Sequence, residues 1–477
     1  MTTPLNTLVS PALYTAADIR SVEQRHAAAH AGPALMDQAG TAIARLAGAL
    51  ARDTGEPILV LAGRGNNGGD ALIAACLMRA QGFRVLVVGQ QASPDPSRRS
   101  PDAGRALSDW LAGGGTLQSG IPRRHGFGLV IDGLFGIGLR RDITGVEADW
   151  IAQANALDCP RLAVDLPSGL DSDSGRICGC ALRADHTLTF LGLKPGLLTA
   201  DGPDHAGIVY LDTLDVDPHL YPSTPGAALT RLAPRHRLPP RLHNSHKGSY
   251  GHVGIVGGDT GMVGACLIAG RAALQSGAGS VTLGVLDERL VVDYGEPRLM
   301  CAAPEALTGR SLQALAVGPG LGRSARAHAL LESALAVECP LLLDADALNL
   351  LADTHRLAAR VAQRPTPTVL TPHPGEAARL LDRPVDAVQA NRIVAARALS
   401  ERFNAHVALK GAGTVIAHPD GRYVVNTSGG PWLAQAGSGD RLTGMVAALL
   451  GQGMIAGDAL EAAVWLHGAA DRSCAQP

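Results

Sequence analysis

Short apolar runs alternate with longer stretches whose apolar residues recur at helical spacing. Leu35, Met36, Ala39, Ile43, Leu46 and Leu50 fall three or four apart and predict a helix over 33–50. "PILVLAG" at 57–63 is a continuous apolar run, as expected of a strand buried on both faces. It leads into a glycine loop, "GRGNNGGD" at 63–70, and then a predicted helix, "ALIAACLMRAQG". The alternation continues with "RVLVVG" (strand), "DAGRALSDWLAG" (helix), "GLVIDGLFG" (strand), "VEADWIAQANAL" (helix) and "RLAVDLPSG" (strand). Strand–helix alternation predicts a mostly parallel sheet with helices on both faces. Ligands of such sheets sit beyond the carboxyl ends of the strands.

The pattern breaks over the proline-rich stretch from Pro218 to Pro240, expected to be a linker. It resumes with different motifs: "GHVGIVGG", "SVTLGVL", "LAVGPG", "PLLLDADAL" and "TVLTPHPGE" as strands, and a hairpin pair around "PDGR". "GSGDRLTGMVAALLGQG" at 437–453 is a loop opening a helix. The expected organisation is two doubly wound three-layer α/β/α domains, 1–217 and 241–477, joined by 218–240. The motif order differs between the halves, which argues against a duplication.

Composition narrows the function classes. The chain has 477 residues with 46% apolar and 3% aromatic content, so its cores must be built from Ala, Leu and Val. A net charge of −2 gives no general attraction to nucleic acid or anionic lipid. The arginines in and just after the linker (Arg231, Arg235, Arg237, Arg241) have no interleaved aromatic stacking platforms. Eight scattered cysteines, without the paired spacing of a zinc site, suggest reduced buried thiols and a cytoplasmic protein. No signal peptide or membrane span is expected.

Three loops of the first half concentrate polar groups at strand ends. Asn66, Asn67, Gly68, Gly69 and Asp70 combine an anion-binding helix start with amide and carboxylate oxygens. Asp132 ends one strand and is followed by Gly136, Gly138, Arg140 and Arg141; Asp165 ends the next, before Pro167 and Ser168. One such Asp is as well explained by capping a turn; three loops together favour a crevice site. In the second half, Gly439 and Asp440 stand where a helix start could stabilise a phosphate while a carboxylate deprotonates a hydroxyl. That pairing suits phosphoryl transfer to an alcohol. "KGAGT", Lys410 to Thr414, supplies a glycine loop suited to a nucleotide's phosphates, and His373 is fixed between two prolines.

"GRGNNGGD", "VIDGLFGIGL" and "VDLPSGLDSDSG", preceded by "ALMDQAG", resemble the NAD(P)H-hydrate epimerase domain, which has a Rossmann-like fold, over roughly the first 215 residues. The resemblance implies that Asn66 to Asp70 and Gly136, Ile137, Gly138, Leu139, Arg140, Arg141 and Asp142 hold the substrate. It implies potassium on Asn67, Asp132 and Ser168, and Asp165 as the acid/base at the nicotinamide ring, itself a substrate contact. Asp37-Gln38 stands where that family usually has Glu-Asn. From "HKGSYGHVGIVGGDTGMVGA" onward, the chain resembles the ADP-dependent NAD(P)H-hydrate dehydratases of the ribokinase-like superfamily. This implies that Ala265, Gly320, Gly322 and His373 contact the hydrated nucleotide. Lys410, Gly411, Ala412, Gly413, Thr414 and Gly439 would contact ADP or AMP, with Asp440 as a substrate contact and catalytic base and Mg2+ accompanying ADP. Ala436 and Arg441 depart from that family's usual Gly and apolar residue.

The expected activity is repair of hydrated NADH or NADPH. The first domain interconverts the R and S hydrates at C6; the second uses ADP to dehydrate the S hydrate, releasing AMP and phosphate. The partners expected are these small molecules and, as a homo-oligomer, further copies of the chain. Two rivals are a small-molecule kinase, made less attractive by the nucleotide-binding first half, and a non-catalytic nucleotide-binding module, which leaves Asp165 unexplained.

Overall fold

The computed structural model describes residues 2–29, 34–51, 55–90, 100–123, 126–238 and 240–470. The chain divides into two compact units, Met1–Thr224 and Pro225–Pro477.

The first unit holds strands β1 (Thr3–Pro4), β2 (Ile58–Ala62), β3 (Val85–Gly89), β4 (Leu117–Gln118), β5 (Leu129–Gly133), β6 (Arg161–Val164), β7 (His186–Phe190) and β8 (Ile208–Asp212). They form one sheet in the order β1-β8-β7-β6-β5-β2-β3-β4, parallel except for β1. All five residues of β2 are buried. Ile58, Val60 and Ala62 join one core, Leu59 and Leu61 another, so both faces are covered and the continuous apolar run is explained.

The glycine loop differs from the sequence expectation. The helix begins at Asn66, with Gly65 as its N-cap, and runs to Ala80, so the Asn-Asn-Gly-Gly-Asp segment is its first turn. The glycines serve close packing, not positive φ. A Cβ at Gly68 would lie 2.0 Å from the Gly63 carbonyl oxygen, and one at Gly69 2.6 Å from Met36 Sδ. Small residues thus let the helix start press onto the end of β2 and onto the helix Leu35–Leu50.

The second unit holds β9 (Gly226–Leu229), β10 (His252–Gly257), β11 (Ser280–Val285), β12 (Met300–Ala302), β13 (Ala314–Val317), β14 (Leu341–Leu343), β15 (Thr368–Leu370), β16 (His406–Leu409), β17 (Val415–Ala417) and β18 (Tyr423–Asn426). Their order is β12-β11-β10-β13-β14-β15-β16-β17-β18-β9, with β17 antiparallel to both its neighbours. Part of the stretch expected to be a linker is therefore a strand. β9 pairs with β18 in parallel, and its short apolar run covers a sheet edge whose backbone groups would otherwise lack partners. The helix expected to follow "GSGD" begins earlier, at Ser438, and runs to Gly451, placing Gly439 and Asp440 in its first turn. It crosses the helix Val263–Gln275 at Gly444, where a Cβ would lie 2.0 Å from the Ala269 carbonyl oxygen. The seven described cysteines are all free; Cys474 lies outside the described residues. Among the described residues no helix is long and apolar enough to cross a membrane.

Candidate functional site

In the first unit the chain leaves β2 toward β3 and β5 toward β6, in opposite directions, so a crevice opens between the carboxyl ends of β2 and β5. Asp132, the fourth residue of β5, points into its floor and is fully buried. Its Oδ1 accepts from the Ser168 hydroxyl at 2.7 Å and the Leu134 N–H at 3.2 Å; its Oδ2 accepts from the Ser168 N–H at 2.8 Å. Asn67 Nδ2 donates to the Phe135 carbonyl at 3.1 Å, and Ser168 Oγ accepts from the Phe135 N–H at 2.9 Å. The structure therefore gathers Asn67, Asp132 and Ser168, far apart in sequence, around the Phe135 backbone. Burial, with no cationic side chain beside it among the described residues, pushes the Asp132 carboxyl up to about 6.

A cleft of about 930 Å³ opens above this floor, lined by Asn66, Asn67, Asp70, Gly136 to Leu139, Arg141 and Asp165 among others. Gly68 and Gly69 pack beneath it, and Arg140 and Asp142 are exposed and outside its lining. Asp165 follows β6 at φ 64°, a left-handed conformation that turns the chain sharply at the strand end. Its Oδ1 accepts from Lys194 Nζ at 2.5 Å, from the Thr189 hydroxyl at 3.2 Å and from the Phe190 N–H at 3.2 Å. Lys194 is fully buried and also donates to the Phe190 carbonyl at 2.7 Å. One oxygen of Asp165 is thus fixed by three donors while the residue lines the cleft.

The second unit has its own reversal, between β10 and β13. The two loops there are stitched together: Gly258 N–H donates to the Pro319 carbonyl at 2.9 Å and Asp259 N–H to the Gly320 carbonyl at 2.7 Å. Gly320 and Gly322 have φ of 60° and 72°, which favours glycine, and the Gly322 N–H donates to Asp346 Oδ2 at 2.9 Å. Ala265 stands in the first turn of the helix Val263–Gln275, half-buried.

Along the same sheet, Lys410 follows β16 and Asp344 follows β14. Their side chains pair at 2.8 Å, and the other Asp344 oxygen accepts from the Thr443 hydroxyl at 2.7 Å. Thr443 lies on the helix that carries Asp440, so this bond seats the helix start over Lys410; a Cβ at Gly439 would lie 3.5 Å from Lys410 Nζ. Burial disfavours the Lys410 charge, but Asp344 and Glu376 outweigh it and raise the ammonium above its usual range. The Asp440 carboxyl is raised by burial and by the Asp344 charge, with Lys410 opposing. Among the described residues its carboxylate makes no hydrogen bond or ion pair. His373 caps the helix Pro374–Leu381: its Nδ1 accepts from the Gly375 and Glu376 N–H groups, leaving Nε2 facing Glu376 Oε1 at 3.3 Å. Burial pushes Glu376 up to about 7. The loop from Gly411 to Gly413, with φ of 143° and 58°, lies against the buried Arg392 guanidinium, 2.7 Å from the position of a Gly411 Cβ.

Breaking the Lys410–Asp344 pair from one side leaves a buried charge alone. Lys410→Met is expected to destabilise the second unit by about 3–5 kcal/mol. Lys410→Met with Asp344→Asn should recover much of that loss in thermal melts. A single variant as stable as wild type would show that the pair carries no structural weight.

Sequence reasoning missed Lys194, Asp344 and Arg392. Asp344 ends the strand in "PLLLDADAL", so the strand-end rule applied to Asp132 and Asp165 would have found it. Lys194 follows β7, a strand not foreseen, and its only signal is a lysine inside the apolar run "FLGLKPGLL".

Two family models match the chain: one described as NAD(P)H-hydrate dehydratase over residues 253–477, the other as YjeF-related protein N-terminus over 32–196. The bifunctional NAD(P)H-hydrate repair enzyme Nnr of Escherichia coli (strain K12) is 38% identical over 424 residues, covering 86% of this chain and 79% of that protein. The enzyme of the same description from Coxiella burnetii is 36% identical over 427 residues, covering 88% and 86%. The crystal structure of the ADP/ATP-dependent NAD(P)H-hydrate dehydratase from Bacillus subtilis, co-crystallized with ATP/Mg2+, shares 34% identity and covers 49% of this chain and 84% of its own, with a TM-score of 0.44. The chain belongs to the family of bifunctional NAD(P)H-hydrate repair enzymes, with an epimerase domain followed by an ADP-dependent dehydratase domain.

Proposed function

We propose that Asp440 is the base of the dehydratase and Asp165 the proton-transferring group of the epimerase, each acting in its own crevice. For the dehydratase, the supporting observation is the free Asp440 carboxylate in the first turn of the helix Ser438–Gly451, beside the Lys410 loop. Hydroxide leaves the C6 carbon poorly; a phosphate ester leaves well. Asp440 takes the proton of the C6 hydroxyl, whose oxygen attacks the β-phosphate of ADP. The N–H groups of the helix start and the Lys410 ammonium stabilise the charge that develops on the transferred phosphoryl group. AMP departs. The ring nitrogen's lone pair then expels phosphate from C6, and loss of a C5 proton restores the dihydronicotinamide. Lys410 to Thr414 hold the nucleotide; Ala265, Gly320, Gly322 and His373 hold the hydrated ring and its ribose.

Mg2+ would travel with ADP. The hard oxygen donors it needs would come mainly from the ADP phosphates and water, since both Asp344 oxygens are engaged by Lys410 and Thr443 and both Glu376 oxygens face His373. Bound there, it would neutralise phosphate charge.

In the epimerase, Asn66, Asn67 and Asp70, with Gly136 to Leu139 and Arg141, hold the substrate. Potassium fits the floor of the cleft. Asn67, Asp132, Ser168 and the Phe135 carbonyl all offer oxygen, and Asp132 is a buried carboxylate with hydrogen bonds but, among the described residues, no cationic side chain. A cation there would supply the missing charge and fix the loops on either side of the cleft. Replacing potassium with tetramethylammonium should lower the melting temperature of the first unit. At a hundredfold excess over Kd the stabilisation is about 2.7 kcal/mol. Asp132→Asn should abolish the difference between the two salts. Identical melting of the wild type in both would remove potassium from this site.

A further inference from the structure

The epimerase cleft holds more carboxylates than its cation can serve. Asp70 and Glu23 line it together with Asp165, and the buried Lys194 is committed to Asp165 Oδ1. Among the described residues neither Asp70 nor Glu23 makes a hydrogen bond or an ion pair through its side chain. Asp70 projects from the first turns of the helix Asn66–Ala80, while Asp165 reaches the same cleft from the end of β6.

Exchange at C6 needs two proton-handling groups. The hydrated ring is a cyclic hemiaminal. When its hydroxyl proton is removed, the C6–N1 bond can break, the electron pair going to N1 while the C–O bond becomes a carbonyl. N1 must then receive a proton. After rotation about C5–C6, N1 adds to the other face of the carbonyl, its proton returns to the donor, and the alkoxide recovers its own. No oxidant, reductant or further reactant enters.

We propose that Asp70 is this proton donor, working opposite Asp165, which takes the hydroxyl proton. The inference rests on the assignment of this cleft to the epimerase and gives Asp70 a role beyond holding the substrate. The surroundings favour a protonated Asp70. Burial is the largest influence, and Asp165, Glu23 of the helix Ala16–Ala29 and Asp102 of the helix Pro101–Ala112 add negative charge, so its carboxyl is held well above the usual carboxylate range. Lys194 faces the same space, but its charge is engaged by Asp165. Arg20, Arg64, Arg141, Glu147 and His26 also line the cleft.

The test is steady-state epimer exchange across pH with the full-length chain. Wild-type kcat should fall on the alkaline side as Asp70 loses its proton. Asp70→Asn keeps the size and a hydrogen-bonding group but transfers no proton, so kcat should drop about a hundredfold or more with KM nearly unchanged, and the alkaline fall should vanish. Asp70→Glu, which keeps the carboxyl, should recover part of the lost kcat and restore the alkaline fall; it also carries the test if the Asn variant does not fold. A raised KM with unchanged kcat in Asp70→Asn, or an Asp70→Glu no better than Asn, would reduce Asp70 to a binding group. Exchange that survives Asp165→Asn would instead remove Asp165 from the reaction, and with it the two-carboxylate reading on which the role of Asp70 rests.

Discussion

Asp440→Asn is expected to cut ADP-dependent repair by about a thousandfold, within the range of general-base losses, while epimer exchange proceeds at the wild-type rate. The amide fills the same space in the first turn of the helix Ser438–Gly451 but cannot accept the hydroxyl proton. Asp440 has no partner among the described residues, so its replacement strands no buried charge, and stability should change little. Nucleotide affinity should also hold or improve slightly, because a negative charge beside the phosphates is removed. The pH dependence gives an independent check. Asp440 works as a base only when ionised, and burial with the nearby Asp344 raises its carboxyl. In the wild type, repair should therefore fall on acidification at a pH above the usual carboxylate range, and this acidic limb should be missing from the residual activity of the variant. Near-normal repair by Asp440→Asn would remove Asp440 from the mechanism.

The fold was legible where the chain obeys a simple period. The five-residue run of β2 and the similar runs of β5, β6 and β10 marked buried parallel strands, because a strand covered on both faces has no polar side to show. Short edge elements escaped. β1 and β4 have two residues each, too few for a period, and β9 was hidden among prolines that pointed to a linker. Both helix starts were placed too late because glycine is a poor helix former. Gly68 and Gly69 nonetheless lie inside a helix, since close contact with Gly63 and Met36 needs residues without a side chain.

The site was legible as a set of strand ends and less so as a network. Asp132 and Ser168 lie 36 residues apart and meet through two hydrogen bonds, as the convergence of parallel strand ends suggests. Lys194 and Asp344 do not show themselves in the same way. Each acts by holding another side chain, Asp165 or Lys410, and such pairing depends on which strands become neighbours. β6 beside β7, and β16 one strand beyond β14 across β15, are facts of sheet order that local sequence does not encode.

Asp165→Asn should block epimer exchange while leaving dehydration of the accepted epimer intact, so restoration of the dihydronicotinamide absorbance splits into two phases. Given both epimers and excess ADP, the wild type should consume all the substrate in one course. The variant should convert the S hydrate quickly and then proceed only as fast as the R hydrate exchanges spontaneously. Asn suits the site sterically, because Asn, like Asp, tolerates the left-handed backbone found here at φ 64°. Electrostatics do not favour it: Lys194, fully buried, would keep Thr189 and Phe190 but lose its counter-charge, at a cost of about 3–5 kcal/mol. A lower melting temperature could then be mistaken for the cause of the lost exchange. Asp165→Asn with Lys194→Met removes both charges and should recover most of the melting temperature. Exchange should stay absent in that double variant, because no proton-transferring carboxylate has been restored. If exchange instead returns with stability, Asp165 serves the fold and the proton moves elsewhere. A single fast phase in Asp165→Asn itself would mean that the dehydratase accepts both epimers or that Asp165 takes no part in their exchange.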